Sequence, residues 1–247
     1  MTGASTDGAG TEGVEMDGME MDGVGMYRSG RERQLALGRS LGEEQAELTV
    51  AATPEWSVRD NFAHMAGVAA DLLAGRVEGV ATDPWTQAQV DARSQWPLGR
   101  ILDELEELGP AMDEVIAAFG DGMDPRLFLD QWTHEQDIRG TVGVPGGMDA
   151  RVVSWGAGVV VPGWMRSVAR AGLPGLRVEC GDAVYSSDDD PVVTLRVEPF
   201  EAIRIVTGRR SAAQMGALGW SGTDSPEVYF DSLVVFSIAD EDIHDAL

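Results

Sequence analysis

From Tyr27 to about Gly172 the apolar residues return every three or four positions; beyond Gly172-Leu173-Pro174-Gly175 they alternate. That switch constrains the fold more than any other feature of the chain. A three-to-four period marks amphipathic helices, and alternation marks half-buried strands. The sequence therefore predicts an α+β protein, with a helical bundle over 28–172 followed by a small α+β module over 173–247. The 247 residues are long enough for both parts to bury a core.

Local signals place the elements. Residues 31–50 set Leu35, Leu41 and Leu48 on one helical stripe. Ser57 and Asp60 have the spacing of a capping box and open a helix that stops near Gly75. Ile101, Leu105, Leu108, Met112, Val115 and Phe119 form a second stripe, and Pro110 predicts a kink or split within it. Asp124-Pro125 starts a helix that reaches Gly140 or Gly143, and 149–171 reads as another. Residues 176–180 and 192–197 read as strands, and 199–219 as one or two short helices.

Charge narrows the partners. Eighteen bases, all of them Arg, face 42 acids for a net charge of −24. Such a chain is repelled by nucleic-acid backbones and anionic membranes. Without Lys it has no Schiff-base or Walker-type chemistry. One cysteine, Cys180, excludes an intrachain disulfide and a Cys-rich metal site, and it reads as a small buried hydrophobe. The longest apolar run, 152–165, is broken by Gly and Pro and is too short to span a bilayer, and no secretory signal is visible, so the expected compartment is the cytoplasm. Residues 1–27 read as a disordered acidic tail rich in Gly and Met.

The chain has three histidines, of which His64 and His134 lie in strong helical patterns and His244 reads as a surface residue. Asp130 stands four residues before His134, one turn away on the same helix face, and Asp137 backs that face on the next turn. A carboxylate and an imidazole from one helix, joined by His64 from another, make a three-ligand site for Zn²⁺ or a similar divalent ion. Three protein ligands leave a fourth position open, as catalytic sites do. The competing reading is a surface hydrogen bond at Asp130 and a satisfied core histidine at His64. Trp56 and Trp132 read as core aromatics.

Two segments around these residues carry a resemblance. Pro54-Glu55-Trp56-Ser57-Val58-Arg59-Asp60-Asn61-Phe62-Ala63-His64 and Trp132-Thr133-His134-Glu135-Gln136-Asp137-Ile138-Arg139 resemble the two signatures of the mycothiol-dependent maleylpyruvate isomerase family. Thr207-Gly208-Arg209-Arg210-Ser211 and Leu218-Gly219-Trp220-Ser221-Gly222 are similar to the close of its C-terminal domain, so the likeness covers about residues 28–238. The resemblance implies a DinB-like up-down four-helix bundle followed by a sterol-carrier-protein-like domain. It also implies a divalent metal, usually zinc, on His64, Asp130 and His134. The family pattern has Glu where this chain has Asp130, one methylene shorter, which draws a metal closer to that helix.

The same resemblance implies a thiol co-substrate, mycothiol, whose sulfur takes the open position. As a thiolate it adds to a small electrophile, either to isomerise a cis double bond or to form an S-conjugate. A carboxylated substrate needs cations, and Arg93, Arg209 and Arg210 are the candidates, each weighed against a solvated surface Arg. Arg139 reads as structural. The alternatives are a metal-binding DinB-like module without turnover, in a regulatory or stress-accessory role, and a bundle that has lost the site and works by protein contacts.

Overall fold

The computed structural model describes residues 22–148, 150–233 and 236–246. The tail reading for 1–27 lies largely outside these residues, but its last part is helical. Helix α1 (Gly23–Ser40) starts where the Asp22 carboxylate accepts from the Gly25 amide at 2.8 Å. A capping acid inside an acidic run carries no periodic signal, so the helix starts earlier than the apolar pattern indicates.

Helix α1 does not continue to residue 50. The chain breaks at Gly42, forms the single turn α2 (Glu43–Ala46), and enters a hairpin of β1 (Thr49–Val50) and β2 (Thr53–Ser57). Leu48 is consequently 43% exposed, not part of a buried stripe. Ser57 then caps α3 (Val58–Leu73) as its sequence predicts: the Asp60 amide donates to Ser57 Oγ at 3.1 Å, and the Ser57 amide to the Asp60 carboxylate at 3.0 Å. The short helix α4 (Asp83–Asp91) crosses α3 at Gly67, where even a methyl group would lie 2.4 Å from Gln89 Cβ.

Helix α5 (Leu98–Phe119) runs through Pro110 without splitting. Its buried side follows Ile101, Leu105, Met112 and Ile116, while Phe119 is 63% exposed at the helix end, beyond the core. Asp124 accepts from the Arg126 amide at 2.9 Å at the start of α6 (Arg126–Val142), and left-handed Gly143 ends it. Helices α1, α3, α5 and α6 pack against one another, with Leu35, Phe62, Ile101, Leu105 and Ile138 in one core.

Helix α7 (Ala150–Arg170) leads to a mixed sheet of β3 (Leu176–Cys180), β4 (Ala183–Ser186), β5 (Val193–Val197) and β6 (Gly219–Ser221) in the order β4-β3-β5-β6. The two strands foreseen, β3 and β5, lie side by side and parallel, and each takes an antiparallel neighbour on its outer edge. Helices α8 (Pro199–Val206) and α9 (Ala212–Gly216) complete the module. Helix α7 lies mainly on α8, and one continuous core joins Phe128 and Trp132 of the bundle to Trp164, Val178, Leu195 and Ile203. No helix among the described residues is long and apolar enough to cross a membrane.

Candidate metal centre

His64, Asp130 and His134 converge between α3 and α6. Each offers one ligand atom, and these atoms lie within 4.8 Å of one another. Nε2 of His64 is 3.5 Å from Asp130 Oδ2, and Nε2 of His134 is 3.5 Å from Asp130 Oδ1. Both histidines are buried, at 2% and 6% exposure, whereas the Asp130 side chain is 37% exposed and opens the site to solvent.

The opposite edge of each imidazole is held by an amide whose orientation is fixed in turn. Gln89 Nε2 donates to the Asp71 carboxylate at 2.8 Å. A carboxylate here only accepts, so the other end of the Gln89 amide, facing His64 Nδ1 at 2.8 Å, is the oxygen. Asn61 Nδ2 donates to the Ser57 carbonyl at 3.0 Å, which leaves Asn61 Oδ1 facing His134 Nδ1 at 2.9 Å. Both Nδ1 atoms therefore donate, and in the neutral tautomer both Nε2 atoms present lone pairs to Asp130.

Two lone pairs and a carboxylate facing one another make a donor set suited to a cation. The alternative, protonated imidazoles paired with Asp130, calls for N–H···O⁻ contacts of about 2.7–2.9 Å. The observed 3.5 Å is longer. Each imidazole faces a different oxygen of Asp130, so the one carboxylate lies against both rings. Against the opposing effect of burial, protonated His64 and His134 would, without a metal, hold the Asp130 carboxyl well below the usual carboxylate range; with both imidazoles neutral, an aspartate at neutral pH is still a carboxylate. It is thus ionised and able to ligate. The residues present fit a divalent ion with N₂O donors.

Trp56 is not a core aromatic. Its ring, half-buried, sits 5.2 Å from the His64 ring and 6.3 Å from that of His134, and its indole N–H is tied to Gln87 at 3.1 Å. It forms a wall of the site. Trp132 is buried, in edge contact with Phe200, and donates to the Gly147 carbonyl.

Asp137 reaches His134 Nδ1 only at 3.8 Å. Its main partners lie in the C-terminal module: Arg204 at 2.7 Å and Arg209 at 3.1 Å. Burial works against its ionisation, but Arg209, Arg204 and His134 lower its pKa to about 2. Arg210 pairs with Glu201 and Asp245, each at 2.6 Å. Arg93 pairs with Glu104 and donates to the Gln89 carbonyl. The three arginines singled out for a carboxylated substrate thus each hold a carboxylate of the protein itself. Arg139 holds Glu135 and the Pro145 carbonyl, in keeping with a structural part. Cys180 is 2% exposed, and burial, with Glu198, pushes its thiol up to about 11. His244 is exposed.

Four contributors escaped sequence reading. Asn61, Gln89 and Asp71 orient the histidines, and Arg204, fully buried, ties the metal helix to the C-terminal module. Asn61 precedes His64 by one helical turn and was findable on that ground. Gln89 and Asp71 come from the crossing of α4 over α3 and left no local signal. Comparisons with family models, curated proteins and solved structures returned no match.

Proposed function

We propose that this chain is a divalent-metal-dependent enzyme of the mycothiol-dependent maleylpyruvate isomerase type, a DinB-like bundle joined to a sterol-carrier-protein-like module. The observation that carries the reading is the pair of amide-locked imidazoles aiming Nε2 lone pairs at an ionised Asp130. His64, Asp130 and His134 would hold the ion, with zinc the natural choice for N₂O donors. A divalent ion bound there supplies an electrostatic pull that lowers the pKa of a thiol at the open position. Gln89 and Asn61 hold the imidazoles in the ligating tautomer, Trp56 limits the room beside them, and the exposed flank of Asp130 admits the thiol and a small electrophile.

A second reading, a metal-binding module without turnover, is favoured by one observation: Arg93, Arg209 and Arg210 are each already engaged by Glu or Asp. Metal analysis of the purified protein and of His64→Ala and His134→Ala variants tests the first step. The wild type is expected to hold one ion per chain and the variants none; a wild type that takes up no stoichiometric metal overturns both readings. Turnover of maleylpyruvate with mycothiol, absent when either component is omitted, separates enzyme from module.

A further inference from the structure

Behind His64 lies a second cleft, of about 570 Å³, within the range of small-molecule sites. Asp71, Arg76, Trp85, Gln89, Arg93 and Trp96 are among its walls. It approaches His64 from the Nδ1 edge, through Gln89, whereas Asp130 faces the Nε2 edge. An occupant of this cleft is therefore screened from the ligand atoms by the imidazole itself, and the cleft is a separate site.

Its chemistry is uneven. Trp85 and Trp96 give it apolar walls, and Val77 and Val80 stand 48% and 44% exposed on the adjoining loop. Two arginines, Arg76 and Arg93, line it together with two carboxylates, Asp71 and Glu78, while Arg93 and Arg100 also lie over the Trp96 ring at 5.8 and 5.1 Å. Arg93 is committed to Glu104. Arg76 is not so confined: its side chain is 62% exposed, its Nε donates to Asp71 Oδ1 at 2.8 Å, and no described residue takes a hydrogen bond from its two Nη groups. An exposed guanidinium with both Nη groups open, beside indole walls, matches a carboxylate on an apolar body.

The same Arg76 starts a continuous chain of hydrogen bonds. Arg76 donates to Asp71, Gln89 donates to the other Asp71 oxygen, and His64 donates to Gln89, each at 2.8 Å. We infer that this cleft binds a small amphipathic carboxylate on Arg76, and that the bound molecule acts on the metal centre through Asp71 and Gln89. A ligand carboxylate shares Arg76 with Asp71, so Asp71 draws harder on the Gln89 N–H. Gln89 in turn draws harder on His64 Nδ1–H and makes Nε2 a stronger donor to a metal. The binding site stands on the cleft alone; the coupling rests on the metal reading above.

Benzoate serves as probe, with benzamide as its uncharged counterpart, on the full chain freed of metal. Saturable quenching of tryptophan fluorescence by benzoate is expected, with affinity falling about tenfold in Arg76→Gln. No saturation, equal affinity for benzamide, or an unchanged Arg76→Gln variant overturns the site. Zn²⁺ affinity, measured by chelator competition, is expected to rise about threefold with saturating benzoate in the wild type and not in Arg76→Gln. Unmoved zinc affinity overturns the coupling. A protein that binds benzoate through Arg76 but takes up no zinc sinks the metal reading and the coupling with it, and leaves the site standing.

Discussion

Removing the side-chain amide of Asn61 or Gln89 frees one imidazole to present a proton at Nε2, where a metal needs a lone pair. Asn61→Leu and Gln89→Leu are each expected to weaken zinc binding by about 10–100-fold while leaving all three ligands in place. Chelator competition reads the affinity, and NMR of the imidazole nitrogens reads the tautomer. A structural role for the amides would lower the melting temperature and leave the tautomer alone. At this scale the sequence disclosed the three candidate ligands but not the amides that hold them. Asp130 and His134 share one helix face, so spacing alone pairs them. Gln89 meets His64 only because Gly67 lets α4 settle on α3, a contact between segments that no periodicity encodes. Trp56 reads as core for a related reason: it stands beside the histidines because the stretch from Thr49 to Ser57 folds as a hairpin, which no helical period encodes.

Helices were legible wherever their own caps or stripes defined them, and the errors fall where a neighbour decided. α3 and α6 begin and end where Ser57, Asp124 and Gly143 dictate. The stripe of α5 ends before Phe119, because the helix outlasts the core it covers. Pro110 is exposed, so the ring and the lost hydrogen bond face water and the helix carries on through it. The contact of α1 with α5 depends on ionisation. Burial works to raise the Asp113 carboxyl, but hydrogen bonds and charge from Arg31 and Arg28 more than offset this and lower it. A lowered carboxylate contributes stability above its unfolded pKa and loses it as pH falls through the folded one. The stability gap between wild type and Asp113→Asn, taken from denaturant midpoints, should therefore be widest near neutrality and close as pH drops below about 4.

On the scale of the molecule, the two parts expected from the change of period share one core and a buried cluster of charges. Asp137 sits between Arg204 and Arg209, and Asp245 joins Arg204 to Arg210. The motif holding Asp137 is visible in sequence; that its partners lie 67 and 72 residues away is not, since the pairing depends on the packing of the C-terminal module. Asp137→Ala leaves Arg204, wholly buried, short of a counter-charge and should cost about 3–5 kcal/mol. Denaturant unfolding measures this, and a loss below about 1 kcal/mol would show that the cluster is not what fastens the module to the metal helix. The ligand set has one more consequence. His64 and Asp130 stand sixty-six residues apart in the chain, so an ion gripping both is a cross-link that closes a long loop. If the grip survives in the denatured chain, the loop-entropy relation for a disulfide of that span gives about 4 kcal/mol; if it is lost on unfolding, the gain follows metal concentration instead. Melting curves across a zinc titration tell the two apart, one rising to a plateau at stoichiometry and the other climbing on with free ion.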